Sequence, residues 1–232
     1  MKPVSLCNLK FADDRPRAVP ARLCWVTTPK DWSFVDEWQQ RADQTENPND
    51  ADSLEFAVIA GERWQYLSSR GECARSPQDV EARATQHPRN EFGFALLMQM
   101  PEGRIWRTVG FSHLRRLWSG NLCLEFLGSM APKGCSGVGQ QMLAYLSLIA
   151  RGVGASEIWG ECTEGSRGFY QRVKTDLLKA KLDEDLRTKS FTLAALQLPG
   201  ALLDRFTFGD SEMKLLSEMR TINAAPASEP SA

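Results

Sequence analysis

Leu122-Cys123-Leu124-Glu125-Phe126-Leu127-Gly128-Ser129-Met130-Ala131-Pro132-Lys133-Gly134-Cys135-Ser136-Gly137-Val138-Gly139-Gln140-Gln141-Met142-Leu143 is the stretch from which this chain is best read. It opens as an apolar strand over Leu122–Gly128. Three glycines then fall within six residues: Gly134, Gly137 and Gly139. Beyond them Val138, Met142, Tyr145, Leu146 and Ile149 recur at intervals of three and four, which predicts a helix, stopped by Gly152 and Gly154. The first N–H groups of a helix have no partner inside it, and the helix dipole favours negative charge there. Glycines upstream let an anion approach the backbone closely. The loop therefore predicts a phosphate or pyrophosphate site; a turn without a ligand fits it equally well when it is taken alone. No G-x-x-x-x-G-K-[ST] is present, and Gly134-x-x-Gly137-x-Gly139 lacks the Rossmann layout.

Downstream, Ser156–Cys162 reads as a strand and Ser166–Ala180 as a helix with Phe169, Val173, Leu177 and Leu178 on one side. Phe191–Leu198 is a further expected strand, and Ser211–Arg220 a short amphipathic helix. Upstream, Phe92–Met100 and Ile105–Leu114 flank the turn Pro101-Glu102-Gly103 as an antiparallel hairpin. Ser76-Pro77-Gln78-Asp79 has the pattern of a helix start. Leu23–Thr27 reads as a strand, followed by a helix carrying Trp32, Phe34, Val35 and Trp38. Gln44–Ser53 reads as a polar loop, and Leu54–Ala60 as either a strand or a buried helical turn. The expected organisation is a loosely attached arm at 1–20, one domain over 21–222 with an insert at 44–90, and a disordered tail at 223–232. The order β-α-insert-β-β-β-loop-α-β-α-β implies a mixed sheet with helices packed on it.

Composition narrows the function classes. A net charge of −1 disfavours nucleic acid or an anionic membrane as a general partner. The six cysteines form no C-x-x-C pair, so no metal site is predicted. No apolar run reaches the roughly 20 residues of a membrane helix, and the N-terminus carries no secretory h-region. These features point to a reducing, cytoplasmic setting.

The run Leu122–Pro132 with Gly137-Val138-Gly139-Gln140-Gln141-Met142-Leu143, followed by a strand at Ile158–Cys162, a short loop and Phe169-Tyr170, resembles the GNAT acyltransferase family. That family's pattern is a strand ending near V-x-P, then [RQ]-x-x-G-x-[GA] and a helix, then a strand and a helix bearing F-Y. The resemblance covers about residues 92–180. It implies an α/β fold with a mixed, mostly antiparallel sheet splayed at the cofactor site and helices on both faces. It further implies acetyl-CoA as cofactor and direct transfer of an acyl group to an amine on a small molecule or protein. Two departures stand out: Gly134 occupies the Arg/Gln position, and the spacing from Pro132 is one residue short.

The resemblance assigns the pyrophosphate to the loop Lys133, Gly134, Cys135, Ser136, Gly137, Val138, Gly139 and Gln140, with Lys133 as a substitute point charge for the missing Arg/Gln. It assigns the pantetheine arm to the backbones of Ser129 and Met130. Tyr170 becomes the general acid that protonates the thiolate, since a phenol keeps its proton at neutral pH; a core aromatic is the other reading. For the base, Glu125 is first, a carboxylate on an apolar strand sharing a face with Cys123 and Leu127, and Glu161 second; an ion pair accounts for either. His113 reads as a structural histidine, Cys135 as a thiol without a positioned base, and Arg115-Arg116 with Trp118 as a solvated turn. Beside the enzyme stand two other classes: a degenerate CoA-binding or protein-interaction module, motivated by Gly134, and a toxin or effector acting on a macromolecule. Acceptor, acyl length and oligomeric state are not written in the sequence.

Overall fold

The computed structural model describes residues 5–10, 16–44, 48–132, 135–188 and 205–219. Seven strands lie in one sheet in chain order: β1 (Ser5–Lys10), β2 (Pro16–Trp25), β3 (Phe92–Glu102), β4 (Ile105–Arg116), β5 (Leu122–Ser129), β6 (Glu157–Glu161) and β7 (Arg205–Gly209). Every neighbouring pair is antiparallel except β5 and β6. Among the described residues six helices accompany them: α1 (Phe34–Ala42), α2 (Pro48–Ser69), α3 (Pro77–Gln86), α4 (Val138–Gly152), α5 (Glu164–Thr188) and α6 (Asp210–Met219), with a 3₁₀ turn at Pro29–Ser33.

Two apolar cores occupy the two faces of the sheet, so helices cover both sides. On one face Phe94, Leu96 and Met98 of β3 and Leu114 of β4 meet Met142 and Leu146 of α4, Val173 of α5 and Leu216 of α6. On the other, Ala95, Leu97 and Phe111 meet Trp32, Phe34 and Trp38 and the Ala57, Ala60 and Trp64 stripe of α2. The alternation of partners along β3 is the two-residue period of a strand buried on both faces. The Trp38 indole donates to the Thr108 carbonyl at 2.9 Å, whereas the indole nitrogens of Trp32 and Trp64 in the same cluster are buried without a partner among the described residues.

Several expectations change. Part of the expected arm is strand, since β1 pairs with β2 from Ser5↔Ala21 to Lys10↔Pro16. The insert is regular structure too: α2 begins at Pro48, inside the expected polar loop, and absorbs Leu54–Ala60 as helix. Its buried stripe of Leu54, Ala57, Ala60, Trp64 and Leu67 is blurred in the sequence by Val58, Ile59 and Tyr66, apolar residues on its exposed side. The helix start at Ser76 is as read, with Ser76 Oγ accepting from the Asp79 N–H at 3.0 Å. The strand expected at Phe191–Leu198 and the tail at 223–232 lie outside the described residues. The last described strand is β7, too short for a clear period.

Candidate active site

The site is built where β5 and β6 part. Their pairing covers only Leu122↔Ile158 and Cys123↔Trp159. Asn121 clamps the start of the pair: its amide donates to Glu157 Oε1 at 3.0 Å, and its oxygen accepts from the Ser156 hydroxyl at 2.8 Å. At Gly160 the strands are still close, since a Cβ there would lie 2.6 Å from the Leu124 carbonyl oxygen. Beyond that point β6 ends and β5 runs on alone toward Ser129. A parallel pair fastened at one end and released at the other opens a wedge.

The wedge forms one side of a cleft of about 790 Å³. Ser129, Ala131 and Pro132 line it from the end of β5, Cys135, Ser136 and Gly137 from the loop, Val138 and Gly139 from α4, Thr163 from the turn before α5, Gly165, Ser166, Phe169, Tyr170 and Arg172 from α5, and Asn49, Asp50, Asp52, Ser53 and Phe56 from α2. Gly137 closes the loop as the N-cap of α4 in the left-handed region, with φ 97° and ψ 0°, a conformation that demands glycine. Its carbonyl accepts the first helical hydrogen bond, from the Gln141 N–H at 3.0 Å. The preceding N–H groups of the first turn have no partner within the helix. Gly139 serves a different purpose: a Cβ there would come within 3.1 Å of the Phe169 ring, so its bareness lets α4 and α5 touch. Gly110 does the same for the sheet, since a Cβ there would fall 2.6 Å from Val138. Together these glycines seat the start of α4 low on β4 and beside α5.

A strand parting from its parallel neighbour, a left-handed glycine at the mouth of the gap, and a helix running back over the antiparallel strands decide the architecture. The fold is GNAT-like. No family model and no curated protein matches the chain. Among solved structures it is similar to nourseothricin acetyltransferase, at 23% identity over 34% of this chain and 48% of that one, TM-score 0.30. It is similar to a candidate acetyltransferase of the GNAT family from Desulfovibrio desulfuricans, at 15% identity over 66% of this chain and 82% of that one, TM-score 0.40. A third likeness is to a chain of the KacTA–DNA complex, at 14% identity, 60% and 84% coverage and TM-score 0.35. The chain thus spans about half the length of nourseothricin acetyltransferase, at 48%. The chemistry of the cleft is read from its own residues.

Tyr170 is 5% exposed and lines the cleft. Burial, and then the neighbouring Cys162, push its phenol well above the usual tyrosine range, so the hydroxyl is a firmly protonated donor. Ser129, Cys135, Ser136, Gly137, Val138 and Gly139 also line the cleft. Burial raises the Cys135 thiol, which keeps it from being a ready nucleophile. Lys133 and Gly134 lie outside the described residues, and Gln140 is not on the cleft wall. Met130 keeps only its backbone carbonyl for a ligand: its N–H donates to the Val109 carbonyl at 3.0 Å and its side chain is 1% exposed in the α2-side core. It anchors the end of β5 and has no N–H to offer a ligand.

Glu125 is corrected. The β4–β5 register passes from His113↔Phe126 to Leu114↔Leu124, which leaves Glu125 as the extra residue of a β-bulge. Its carboxylate lies away from the cleft among Arg115 Nε at 2.9 Å, His113 Nδ1 at 3.1 Å and Arg63 Nε at 3.6 Å. Burial raises its pKa, but the His113 contact and the charges of Arg115 and Arg63 outweigh burial and hold it below the usual carboxylate range. These are close contacts of ion pairs without hydrogen-bond alignment. A carboxylate held this way is a structural anchor between β4, β5 and α2. Glu161 is exposed at the end of β6 opposite Arg205, and it does not line the cleft. His113, 0% exposed, is structural. Arg115 also pairs with Glu91 at 3.1 Å, and Arg116 donates to the Pro88 carbonyl at 2.7 Å, so neither is a free anion grip.

Sequence reading missed the α2 wall and Arg172. Asp50 and Asp52 are the carboxylates on the cleft wall among the described residues, and Arg41 and Arg172 its guanidiniums. Arg41 donates to the Ala131 carbonyl at 3.2 Å and so ties α1 to the end of β5. Pro48-Asn49-Asp50, read as a turn, was equally a helix start, with proline and an acid in the first turn; that was the available signal.

Proposed function

We propose that this chain is an N-acyltransferase that uses acetyl-CoA and transfers its acyl group directly to an amine. The observation that carries the reading is the parting of β5 and β6 beneath a cleft that has an αL glycine and a helix start at one end and the protonated Tyr170 in its wall. The residues fit an elongated thioester cofactor. The first-turn N–H groups of α4 suit a pyrophosphate. Arg172, which no ion pair engages among the described residues, supplies from α5 the cation that Gly134 does not. The unpaired edge of β5 at Ser129 and the carbonyls beyond it suit the amide-bearing pantetheine arm, which would extend the strand edge.

Acetyl-CoA, when bound, supplies an activated acyl group. The chain's own part is to hold the thioester and amine in register, to exclude water by burying the wedge, and to donate the Tyr170 proton to the departing sulfur. The five described cysteines are free thiols, in keeping with a cytoplasmic setting. A second reading, a CoA-binding module without turnover, is favoured by one observation: the expected base Glu125 is engaged in ion pairs. Calorimetric titration with acetyl-CoA, followed by thiol release on a panel of amines, separates the two. Saturable binding with turnover supports the enzyme, binding without turnover on any amine supports the module, and no binding at millimolar cofactor overturns both.

A further inference from the structure

We propose that the α2 wall of the cleft is an acceptor subsite for an amine carrying at least two positive charges, with Asp52 as its docking carboxylate. The inference rests on the acyltransferase reading and narrows its acceptor class.

Helix α5 acts as a ruler along the cleft. Gly165, in its first turn, lies under Asp52: a Cβ at that glycine would come within 3.2 Å of Asp52 Oδ2. One turn on, Phe169 rests against Gly139 at the start of α4. Arg172 follows, its guanidinium lying back over Gly168. Gly168 is three residues from Gly165, so the Arg172 guanidinium lies about 5 Å along the helix from the level of Asp52, with no ion pair between them among the described residues. The cleft wall therefore carries both signs of charge. Arg172 and the start of α4 suit the phosphates of the donor, and the carboxylates of α2 suit a cation.

The carboxylates are not both explained by the helix they sit on. Asp50 lies in the first turn of α2, where an acid stabilises the helix end. Asp52 lies beyond that turn, and no hydrogen bond or ion pair holds its exposed carboxylate among the described residues. A second observation marks the same cleft as a ligand site. The Tyr170 hydroxyl, on a side chain 95% buried, has no hydrogen-bond partner among the described residues although its ring lines the cavity. A protonated donor in the α5 wall and an unengaged carboxylate on the α2 wall of the same cleft are complementary to a thioester sulfur and an ammonium group. The same carboxylates repel a polyphosphate backbone, which counts against an acceptor borne on nucleic acid.

The test is calorimetric titration of the CoA-saturated protein with spermidine, and with glutamate as an anionic amine, at low and high salt. Spermidine is expected to bind saturably and more weakly at high salt, and glutamate not to bind. Asp52→Asn should weaken spermidine at least fivefold and Asp52→Lys abolish its binding, while CoA affinity changes less than twofold in both. Spermidine binding that is absent, or equal in wild type and Asp52→Asn, overturns the subsite, as does glutamate binding as tightly as spermidine. If CoA itself fails to bind, the acyltransferase reading falls. Spermidine titrated into the free protein then decides the cation subsite separately, by whether Asp52→Asn removes the binding.

Discussion

Tyr170 lies face to face on Phe206, with ring centroids 3.9 Å apart and planes 13° from parallel. The stack joins α5 to β7 and fixes the ring from behind, so the hydroxyl is aimed by packing alone. Tyr170→Phe keeps the stack and removes the donor. It is expected to lower kcat by about 100-fold, in the range for loss of a general acid, with acetyl-CoA affinity unchanged. Because burial lifts the phenol far above neutrality, Tyr170 should contribute no inflection to the rate profile between pH 6 and pH 9. Wild-type kcat in Tyr170→Phe would assign the proton donor elsewhere.

Glu125 is expected to govern stability rather than catalysis. Its side chain is 14% exposed, and removal leaves Arg115 and His113 without their partner. Glu125→Ala should cost about 3 kcal/mol in urea unfolding at pH 7. The sign with pH follows from the lowered folded-state pKa. The contribution is complete above the ordinary carboxylate range and is lost as pH falls through the folded value. Glu125→Gln should therefore flatten the acid limb of the stability curve. A variant as stable as wild type but dead in turnover, with cofactor still bound, would restore the base role.

At Gly137 the backbone is in the left-handed region, φ 97°. Gly137→Ala should destabilise the fold by about 1 kcal/mol through that conformation. It should also weaken acetyl-CoA binding, since the first turn of α4 must shift. Unchanged affinity would remove the loop from the cofactor site.

Gly160 measures how closely β6 must approach before the strands part. A Cβ there would lie 2.6 Å from both the Leu124 carbonyl and the Phe206 ring. Gly160→Ala is expected to lower stability by about 2 kcal/mol, as overpacking does, and to widen the wedge. Acetyl-CoA affinity should fall with it, read by calorimetry below the melting transition.

Arg172 is exposed on the cleft wall. Arg172→Ala should raise the acetyl-CoA Kd about tenfold, or about 1.4 kcal/mol, with thermal stability unchanged. Binding of acetyl-pantetheine, which lacks the nucleotide phosphates, should be indifferent to the change. Equal weakening of both ligands would assign Arg172 to the pantetheine arm.

The strands β3, β4 and β5, the Gly-rich loop, α4 and the Phe169-Tyr170 pair are legible in the sequence because each depends on nearest neighbours along the chain: alternation, turn residues, a 3.6-residue period. Local chemistry of this kind also marked Ser76 as a cap. Tertiary structure alone decided what faced what. Glu125 looked like a carboxylate sharing a face with Cys123 and Leu127, and a one-residue bulge against β4 carried it to Arg115 and His113 instead. Met130 looked available at a strand end, and its N–H was spent on Val109. Helix α2 was hidden because Val58, Ile59 and Tyr66 on its exposed side blur the period of Leu54, Ala57, Ala60, Trp64 and Leu67 on its buried side, and with it Asp52 was hidden too. The sequence by itself thus determined the β3–β4 hairpin, β5, α4 and the glycine-rich turn between them, since those follow from backbone preferences over a few residues. The opposite wall of the cleft, and which charges remain free in it, were set by long-range packing that brings residue 52 to residue 165, a relation no local pattern encodes.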